Sequence, residues 1–267
     1  MKETNNIAKS VDAWWTVLVI DRLATPLAYA LAEIKWITPN TITVSSLITA
    51  TIASLLISTC LPIGLITGGI MYQVAFMLDC VDGKLARIKG LVSAVGEYLD
   101  NLVDRVNSLL LTVALLYAFW RLTGYTNLVI LIALYGMLNM IAPCMGIAYS
   151  RLLETHCGKN AKERNIRMSR ALLGRARRGF KDLVFKYIDT LRRHRLNPYP
   201  SEIEANLLMY TLLPIYMGVS IYWYRFIGLN HVLAIVYVSL VILLAVIVLR
   251  LSAHYAVLSR CDTNQYQ

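Results

Sequence analysis

Charged side chains are scarce in this chain. They make up 16% of its 267 residues, whereas 57% of the residues are hydrophobic and the mean hydropathy is +0.56. Soluble domains carry about 25% charged residues and about 45–50% apolar residues, so the composition argues against a soluble globular protein. It predicts a single integral membrane domain.

The chain also lacks cysteines at metal-binding or redox spacing. Its five cysteines are scattered, odd in number and never arranged as Cys-x-x-Cys, which argues against a disulfide framework and against a zinc site. Residues 1–10 are polar and contain no apolar core, so we expect no cleavable signal peptide. No internal repeat or low-complexity segment is present. These absences leave the apolar segments as the main guide to the fold.

Six apolar segments each approach the twenty residues that a helix needs to cross a bilayer. They cover residues 41–61, 63–86, 95–120, 128–149, 205–224 and 231–251. The predicted fold is therefore all-α and integral to the membrane, with six transmembrane helices in a domain spanning residues 38–267. Along the chain, links that carry few basic residues alternate with links that are rich in Lys and Arg. By the positive-inside rule the basic links face the cytoplasm, and both termini then lie on the cytoplasmic side of the cell membrane.

The net positive charge is concentrated in one link. Residues 151–200 contain 14 of the 26 Lys and Arg residues but 4 of the 16 acidic ones, so this segment carries the whole net charge of +10. Such a block is typical of nucleic-acid binding or of a cytoplasmic loop that faces anionic lipid. Beside membrane helices the second interpretation is favoured, so we expect membrane lipids and no nucleic acid as partners. Apolar residues at helical spacing predict an amphipathic surface helix at about residues 172–191.

Residues 1–37 form a separate N-terminal segment. Its apolar stretch is interrupted by charges, and Trp14, Trp15 and Trp36 suit the membrane interface, so we predict an amphipathic helix lying along the membrane surface. A helix packed on the membrane domain is the alternative. Thr38 and Pro39 then predict the start of the first span, as cap and first helical residue.

Two acidic stripes lie near the end of the second span and the start of the third. Asp79, Asp82, Gly83 and Ala86 share one helical face, and Gly96, Asp100 and Asp104 share another. Converging carboxylates repel one another unless a cation lies among them, and hard divalent cations prefer such oxygen ligands. The small residues leave space for a substrate to approach the backbone.

The pattern D-x2-D-G-x2-A-R-x8-G-x3-D-x3-D, from Asp79 to Asp104, resembles the signature of the CDP-alcohol phosphotransferase family, also called class I CDP-alcohol phosphatidyltransferases. The Thr-Pro-Asn-x-Ile-Thr sequence from Thr38 to Thr43 is also similar to the start of the first membrane helix of that family. The resemblance implies transfer of a phospho-alcohol group, phosphatidyl if the donor is CDP-diacylglycerol, to an alcohol acceptor with release of CMP. It also implies dependence on Mg²⁺ or Mn²⁺, a role in phospholipid or phosphodiester biosynthesis, and a homodimer.

The resemblance assigns roles residue by residue. Asp79, Asp82 and Asp100 are the expected metal ligands, and Asp104 is expected both to share a metal and to remove the proton of the acceptor. The nucleotide is expected to lie along four further residues: Gly83, Ala86, Arg87 and Gly96.

The acceptor site is less defined by the pattern. Arg105 is a candidate for holding an anionic acceptor such as a sugar phosphate or inositol phosphate, or it pairs with the neighbouring aspartate. Asn101, Asn107 and Asn139 could line the acceptor pocket or form hydrogen bonds between helices. Two other classes compete with the transferase: a Mg²⁺-dependent membrane prenyltransferase, and a divalent-cation-binding membrane protein without enzymatic activity.

Overall fold

The computed structural model describes residues 12–157, 190–191, 193–197, 201–224 and 227–265. Within these residues two short π-helical stretches occur: one precedes the first helix, and the other lies within the sixth. The helices in chain order are α1 (Asp21–Ala32), α2 (Pro39–Ser58), α3 (Pro62–Lys89), α4 (Ala94–Thr123), α5 (Thr126–Cys157), α6 (Glu202–Tyr224) and α7 (Leu229–Gln265).

Helices α2 to α7 are the six in the described part of the chain that are long and apolar enough to cross a membrane. They coincide with the six predicted spans, and most extend beyond the apolar stretch; α3, for example, continues to Lys89. The prediction of an all-α integral membrane protein with six transmembrane helices is confirmed. The amphipathic helix predicted within the basic loop falls largely outside the described residues.

Helix caps fix where two spans begin, and the first is the one predicted at Thr38 and Pro39. Thr38 accepts a hydrogen bond from the backbone N–H three residues on, at 3.3 Å, and Pro39 is the first residue of α2. At the start of α6, the Oγ of Ser201 accepts from the backbone N–H of Ile203 at 3.2 Å. The Oε2 of Glu204 accepts in return from the backbone N–H of Ser201 at 2.7 Å, which completes a capping box.

The membrane core is held by close helix contacts. Helix α2 packs against α3 and α4, α3 also packs against α6, and α5 packs against α4 and α7. A side chain at Gly68 of α3 would place its Cβ 2.7 Å from Cγ1 of Ile57 and 2.9 Å from the carbonyl oxygen of Ala53, so glycine lets α2 and α3 approach. The fully buried Tyr210 of α6 makes edge-to-face contacts with Tyr72 and Tyr135, at centroid distances of 5.5 and 5.9 Å.

The N-terminal segment packs on the membrane domain, as the alternative interpretation expected. Ile20, Ala24 and Ala28 are buried in one cluster with Val81 and Leu85 of α3. This packing places α1 beside the end of α3 that carries the signature. The location of α1 along the membrane surface stays a prediction.

A buried ion pair strengthens this attachment. Asp21, at the start of α1, accepts from the ammonium of Lys84 in α3 at 2.7 Å, and both side chains are about nine-tenths buried. The second carboxylate oxygen of Asp21 accepts from the guanidinium of Arg195 at 3.0 Å. Because Arg195 lies near the end of the basic loop at residues 151–200, this one aspartate joins α1, α3 and the segment that leads into α6.

Candidate active site

The signature residues lie where α3 ends and α4 begins. Gly90 ends α3 in the left-handed region, with φ of 65°, which glycine adopts without steric cost. Ser93 caps α4, its Oγ accepting from the backbone N–H of Gly96 at 3.0 Å. This short connection brings the acidic end of α3 against the acidic start of α4.

Three of the predicted metal ligands converge there. One carboxylate oxygen from each of Asp79, Asp82 and Asp100 lies within 4.8 Å of the others. Asp82 is 4% exposed, so its carboxylate is almost completely removed from bulk water. We call these three residues the carboxylate cluster. Its assembly from α3 and α4 follows the two helical stripes that the sequence predicted.

The carboxylate cluster suits a divalent cation. The Oδ1 atom of Asp79 is buried and has no hydrogen-bond partner, a costly arrangement for an isolated carboxylate. A metal ion would satisfy this atom and offset the repulsion among the three acids. Oxygen ligands from carboxylates are those that Mg²⁺ and Mn²⁺ prefer. The residues present therefore fit a divalent metal.

Asp104 lies beside the carboxylate cluster, one turn further along α4. Its carboxyl group contacts that of Asp79. Its Oδ2 also lies 3.9 Å from the guanidinium of Arg105, a loose ion pair with both side chains partly exposed. Asp104 is thus close enough to act with the carboxylate cluster, while retaining access to the space beyond it.

A threonine that sequence reasoning missed orients one of the acids. The hydroxyl of Thr43, on α2, donates to Oδ2 of Asp82 at 2.5 Å, and Thr43 is 3% exposed. Such a bond fixes the orientation of a metal-ligating carboxylate. Thr43 lies within the Thr38–Thr43 motif, but its spacing along α2 did not show which acid it would contact.

One cavity opens on the connection between α3 and α4. It measures about 200 Å³ and contains all four residues predicted to lie along the nucleotide, Gly83, Ala86, Arg87 and Gly96. We call it the loop cavity, and its polar wall is completed by Asn40, Thr43, Asp82, Ser93, Glu97 and Asp100.

Steric crowding within the loop cavity explains why residue 96 is a glycine. A Cβ there would lie 3.1 Å from Oγ of Ser93 and 3.4 Å from Oδ1 of Asn40, so a side chain would crowd both groups. The N-terminal ends of α2 and α4 both line this cavity. Helix N-termini favour anions because their first N–H groups have no partner within the helix.

A second cavity lies on the other side of the carboxylate cluster. It measures about 220 Å³ and is lined by residues of the N-terminal segment and of α2 to α6. We call it the central cavity. Its polar wall includes Ser46, Gln73, Asp79, Asp104, Arg105 and Asn107. The four acids are therefore divided: Asp82 and Asp100 line the loop cavity, and Asp79 and Asp104 line the central cavity.

The four predicted acceptor-site residues do not all line the same cavity. Arg105, Asn107 and Asn139 line the central cavity. Asn101 donates to the carbonyl oxygen of Glu97 at 2.7 Å and belongs to neither cavity wall.

The N-terminal segment contributes residues that the sequence did not suggest for a site. Trp15 lines the central cavity and donates through Nε1 to Oε1 of Gln73 at 2.9 Å. Its backbone N–H donates to Oε1 of Glu204 at 3.2 Å. Asp12 and Thr16 line the same wall. No spacing rule links these positions to α3 and α6, so this contribution could not be read from the sequence.

The sequence of this chain is similar to those of known proteins. Residues 36–166 match the model of the family described as CDP-alcohol phosphatidyltransferase. The chain is also 36% identical, over 84 residues, to the bifunctional IPC transferase and DIPP synthase of Thermococcus kodakarensis. That match spans 32% of this chain and 18% of the archaeal protein, so the chain covers less than a fifth of that relative. Residues 36–166, which contain the carboxylate cluster and the whole loop cavity, therefore belong to the CDP-alcohol phosphatidyltransferase family.

Proposed function

We propose that this protein transfers a phospho-alcohol group from a CDP-alcohol to an alcohol acceptor and releases CMP. The observation that carries the proposal is the position of the carboxylate cluster between two cavities, on the signature of the matching family. A donor on one side and an acceptor on the other would meet at the four aspartates. The prenyltransferase and the cation-binding alternatives have no comparable support from the matching family.

The loop cavity is the proposed donor site. The backbone at Gly83, Ala86 and Gly96 leaves room for the nucleotide, and the guanidinium of Arg87 supplies positive charge for its diphosphate. The N-terminal ends of α2 and α4 add partial positive charge to the same cavity. These features suit CDP better than an uncharged ligand.

The proposed cofactor is Mg²⁺ or Mn²⁺, with Asp79, Asp82 and Asp100 as ligands and Asp104 as a further oxygen donor beside them. When bound, the ion supplies positive charge that stabilises the diphosphate and the departing CMP. Thr43 keeps the carboxylate of Asp82 oriented toward the other two ligands. These side chains hold the reacting groups together, which removes much of the entropic barrier to the transfer.

Asp104 is the proposed catalytic base. The acceptor hydroxyl, arriving from the central cavity, loses its proton to the carboxylate of Asp104. The oxygen of the acceptor hydroxyl forms a bond to the phosphorus that carries the alcohol of the donor. The bond between that phosphorus and the oxygen of CMP breaks. The electron pair leaves with CMP, and no oxidant or reductant is needed.

The membrane setting refines the proposal. From the charge pattern we propose that the active site and both termini face the cytoplasm. Residues 1–37 are the proposed interfacial segment, and residues 38–267 are the proposed catalytic membrane domain, including the basic loop at about 151–200. A donor reaching the site from this membrane would be a lipid such as CDP-diacylglycerol. Anionic lipid on the basic loop and a homodimer are the further proposed partners.

The test is CMP release by the purified full chain in detergent. CDP-diacylglycerol and CDP-polyols are offered as donors against a panel of alcohols, with Mg²⁺, with Mn²⁺ and with excess EDTA. We expect CMP release that depends on both metal and acceptor and returns when metal is added back. Full release in EDTA would remove the metal from the proposal, and the absence of release from every pair would contradict the transferase itself.

A further inference from the structure

The central cavity contains buried polar atoms that have no partner in the protein. Among the described residues, the buried side-chain atoms without a hydrogen bond are Oγ1 of Thr16, Oδ1 of Asp79 and Oδ1 of Asn107. All three residues line the central cavity. A metal accounts for Asp79, but not for the other two. Because a buried polar group without a hydrogen-bond partner is costly, Thr16 and Asn107 indicate a ligand that offers hydrogen-bonding groups.

The remaining polar wall is rich in hydroxyl and amide groups. It is contributed by five helices that surround the cavity, and its uncharged members include Ser46, Gln73, Asn107, Ser108, Asn139 and Asn206. Hydroxyl and amide groups both donate and accept, so they match a ligand with several hydroxyls. Several of these groups are already hydrogen-bonded within the protein, Gln73 to Thr211 and Asn206 to Tyr135 among them. Among the described uncharged side chains of this wall, Oγ1 of Thr16 and Oδ1 of Asn107 are the buried atoms that still need a partner from the ligand.

The charges of the wall argue against an anionic ligand. Asp12 and Glu202 line the central cavity in addition to Asp79 and Asp104. Among the described residues of the wall, Arg105 contributes the one guanidinium, and it is loosely paired with Asp104. Protein sites for phosphate groups use clustered arginines, lysines or backbone N–H groups. The loop cavity also contains acids, but it offers a diphosphate the guanidinium of Arg87 and two helix N-termini, whereas the one guanidinium described in the central cavity is already paired.

The size of the cavity points to a small ligand. Its volume of about 220 Å³ is below the about 300–1,000 Å³ that is typical of pockets for drug-sized ligands. Helix α6 also closes this wall, with Glu202 held by the guanidinium of Arg250 through two hydrogen bonds of 3.0 and 3.2 Å. These two hydrogen bonds fix the position of the Glu202 carboxylate in the wall.

We infer that the central cavity selects an uncharged polyol, and not a phosphorylated alcohol, as the acceptor of the proposed transfer. The inference rests on the proposed function and names the substrate class of its second site. The hydroxyl of Ser46 and the amide of Asn107, which lie 3.4 Å apart, and the hydroxyl of Thr16 form hydrogen bonds to the polyol. Arg105 then orients Asp104 and does not bind an anionic acceptor, the role that the sequence had suggested for it.

Part of this selectivity comes from outside the matched family domain. Asp12, Trp15 and Thr16 precede residues 36–166, whereas Glu202 and Asn206 follow them. The acceptor class is therefore set in part by segments outside the matched family domain.

The experiment compares matched acceptor pairs in the CMP-release assay with the full chain. Myo-inositol is tested against inositol 1-phosphate, and glycerol against glycerol 3-phosphate, with ethanolamine as a cationic alcohol. We expect kcat/KM for one uncharged polyol to exceed that of its phosphate by about tenfold or more. CMP release with phosphorylated acceptors or with ethanolamine alone would overturn the inference and leave the proposed transferase intact. No CMP release with any pair would overturn both.

Two serines of α2 provide a matched pair of variants. Ser46 is fully buried and lines the central cavity, whereas Ser54 is 6% exposed and donates to the carbonyl oxygen of Ala50 away from both cavities. We expect Ser46→Ala to raise the KM of the polyol about three- to tenfold, with the KM of the CDP-alcohol unchanged. Ser54→Ala should change neither. Equal effects of the two variants on the polyol KM would contradict the assignment of the central cavity.

Discussion

The loop cavity and the central cavity divide the four aspartates between them, two to each, and are built in different ways. Every residue of the loop cavity comes from the stretch between Pro39 and Asp100, inside the matched family domain. The central cavity also draws on the N-terminal segment and on the start of α6, about 190 residues apart in the chain. The proposed donor site is thus set by one compact stretch of sequence, whereas the proposed acceptor site depends on tertiary contacts.

The four aspartates connect the two cavities, and their division gives the largest expected effects. Asp82→Asn removes a ligand of the carboxylate cluster that lines the loop cavity, so we expect both turnover and metal-dependent CDP binding to be lost. Asp104→Asn removes the proposed base, so kcat should fall about 10²–10⁴-fold while CDP still binds with metal. Calorimetric titration of CDP in Mn²⁺, combined with CMP-release rates, measures both quantities. If Asp104→Asn abolished CDP binding as fully as Asp82→Asn, Asp104 would be a principal metal ligand, and the base would lie elsewhere.

Thr43 tests the loop-cavity side with a smaller change. Thr43→Val removes the hydroxyl that donates to Asp82 and keeps the size of the side chain. Loss of such an outer-shell contact typically weakens metal binding about 10–100-fold, and Thr43→Ser should restore it because the hydroxyl returns. A Mn²⁺ titration followed by electron paramagnetic resonance measures the affinity without turnover. A Ser variant as weak as the Val variant would show that packing, and not the hydrogen bond, is what matters at this position.

Trp15 tests the central-cavity side and should give the smallest effect. Trp15→Phe removes the indole N–H that donates to Gln73, a bond worth about 0.5–1.5 kcal/mol, so the KM of the polyol should rise about two- to tenfold. The KM of the CDP-alcohol should stay the same. Trp36→Phe is the matched control, since Trp36 is 76% exposed and lines neither cavity. A rise in the KM of the CDP-alcohol alone would place Trp15 on the donor side of the carboxylate cluster and contradict its assignment to the central cavity.

The difference between the cavities also explains what the sequence could predict. Helical spacing placed Asp79 with Asp82, and Asp100 with Asp104, and the loop at Gly90 is short enough that the two pairs had to meet. The six spans and the caps at Thr38 and Ser201 follow equally local rules. These features need no knowledge of distant contacts.

Long-range partners could not be predicted in the same way. Thr43 contacts Asp82 across 39 residues of sequence, and Trp15 contacts Gln73 across 58. Each contact depends on how one helix is rotated against another, which hydrophobic spacing does not determine. Asn101 is the opposite case: its spacing suited the site, but its amide bonds to its own helix instead.

The most direct test of two separate sites is a pair of titrations on two variants. Arg87→Met alters the loop cavity, and Asn107→Leu alters the central cavity. With Mn²⁺ present, calorimetry should show that Arg87→Met raises the Kd of CDP about tenfold or more and leaves the Kd of the polyol unchanged. Asn107→Leu should raise the Kd of the polyol and leave that of CDP unchanged. If either variant weakened both ligands equally, donor and acceptor would share one site, and the division between the two cavities would be wrong.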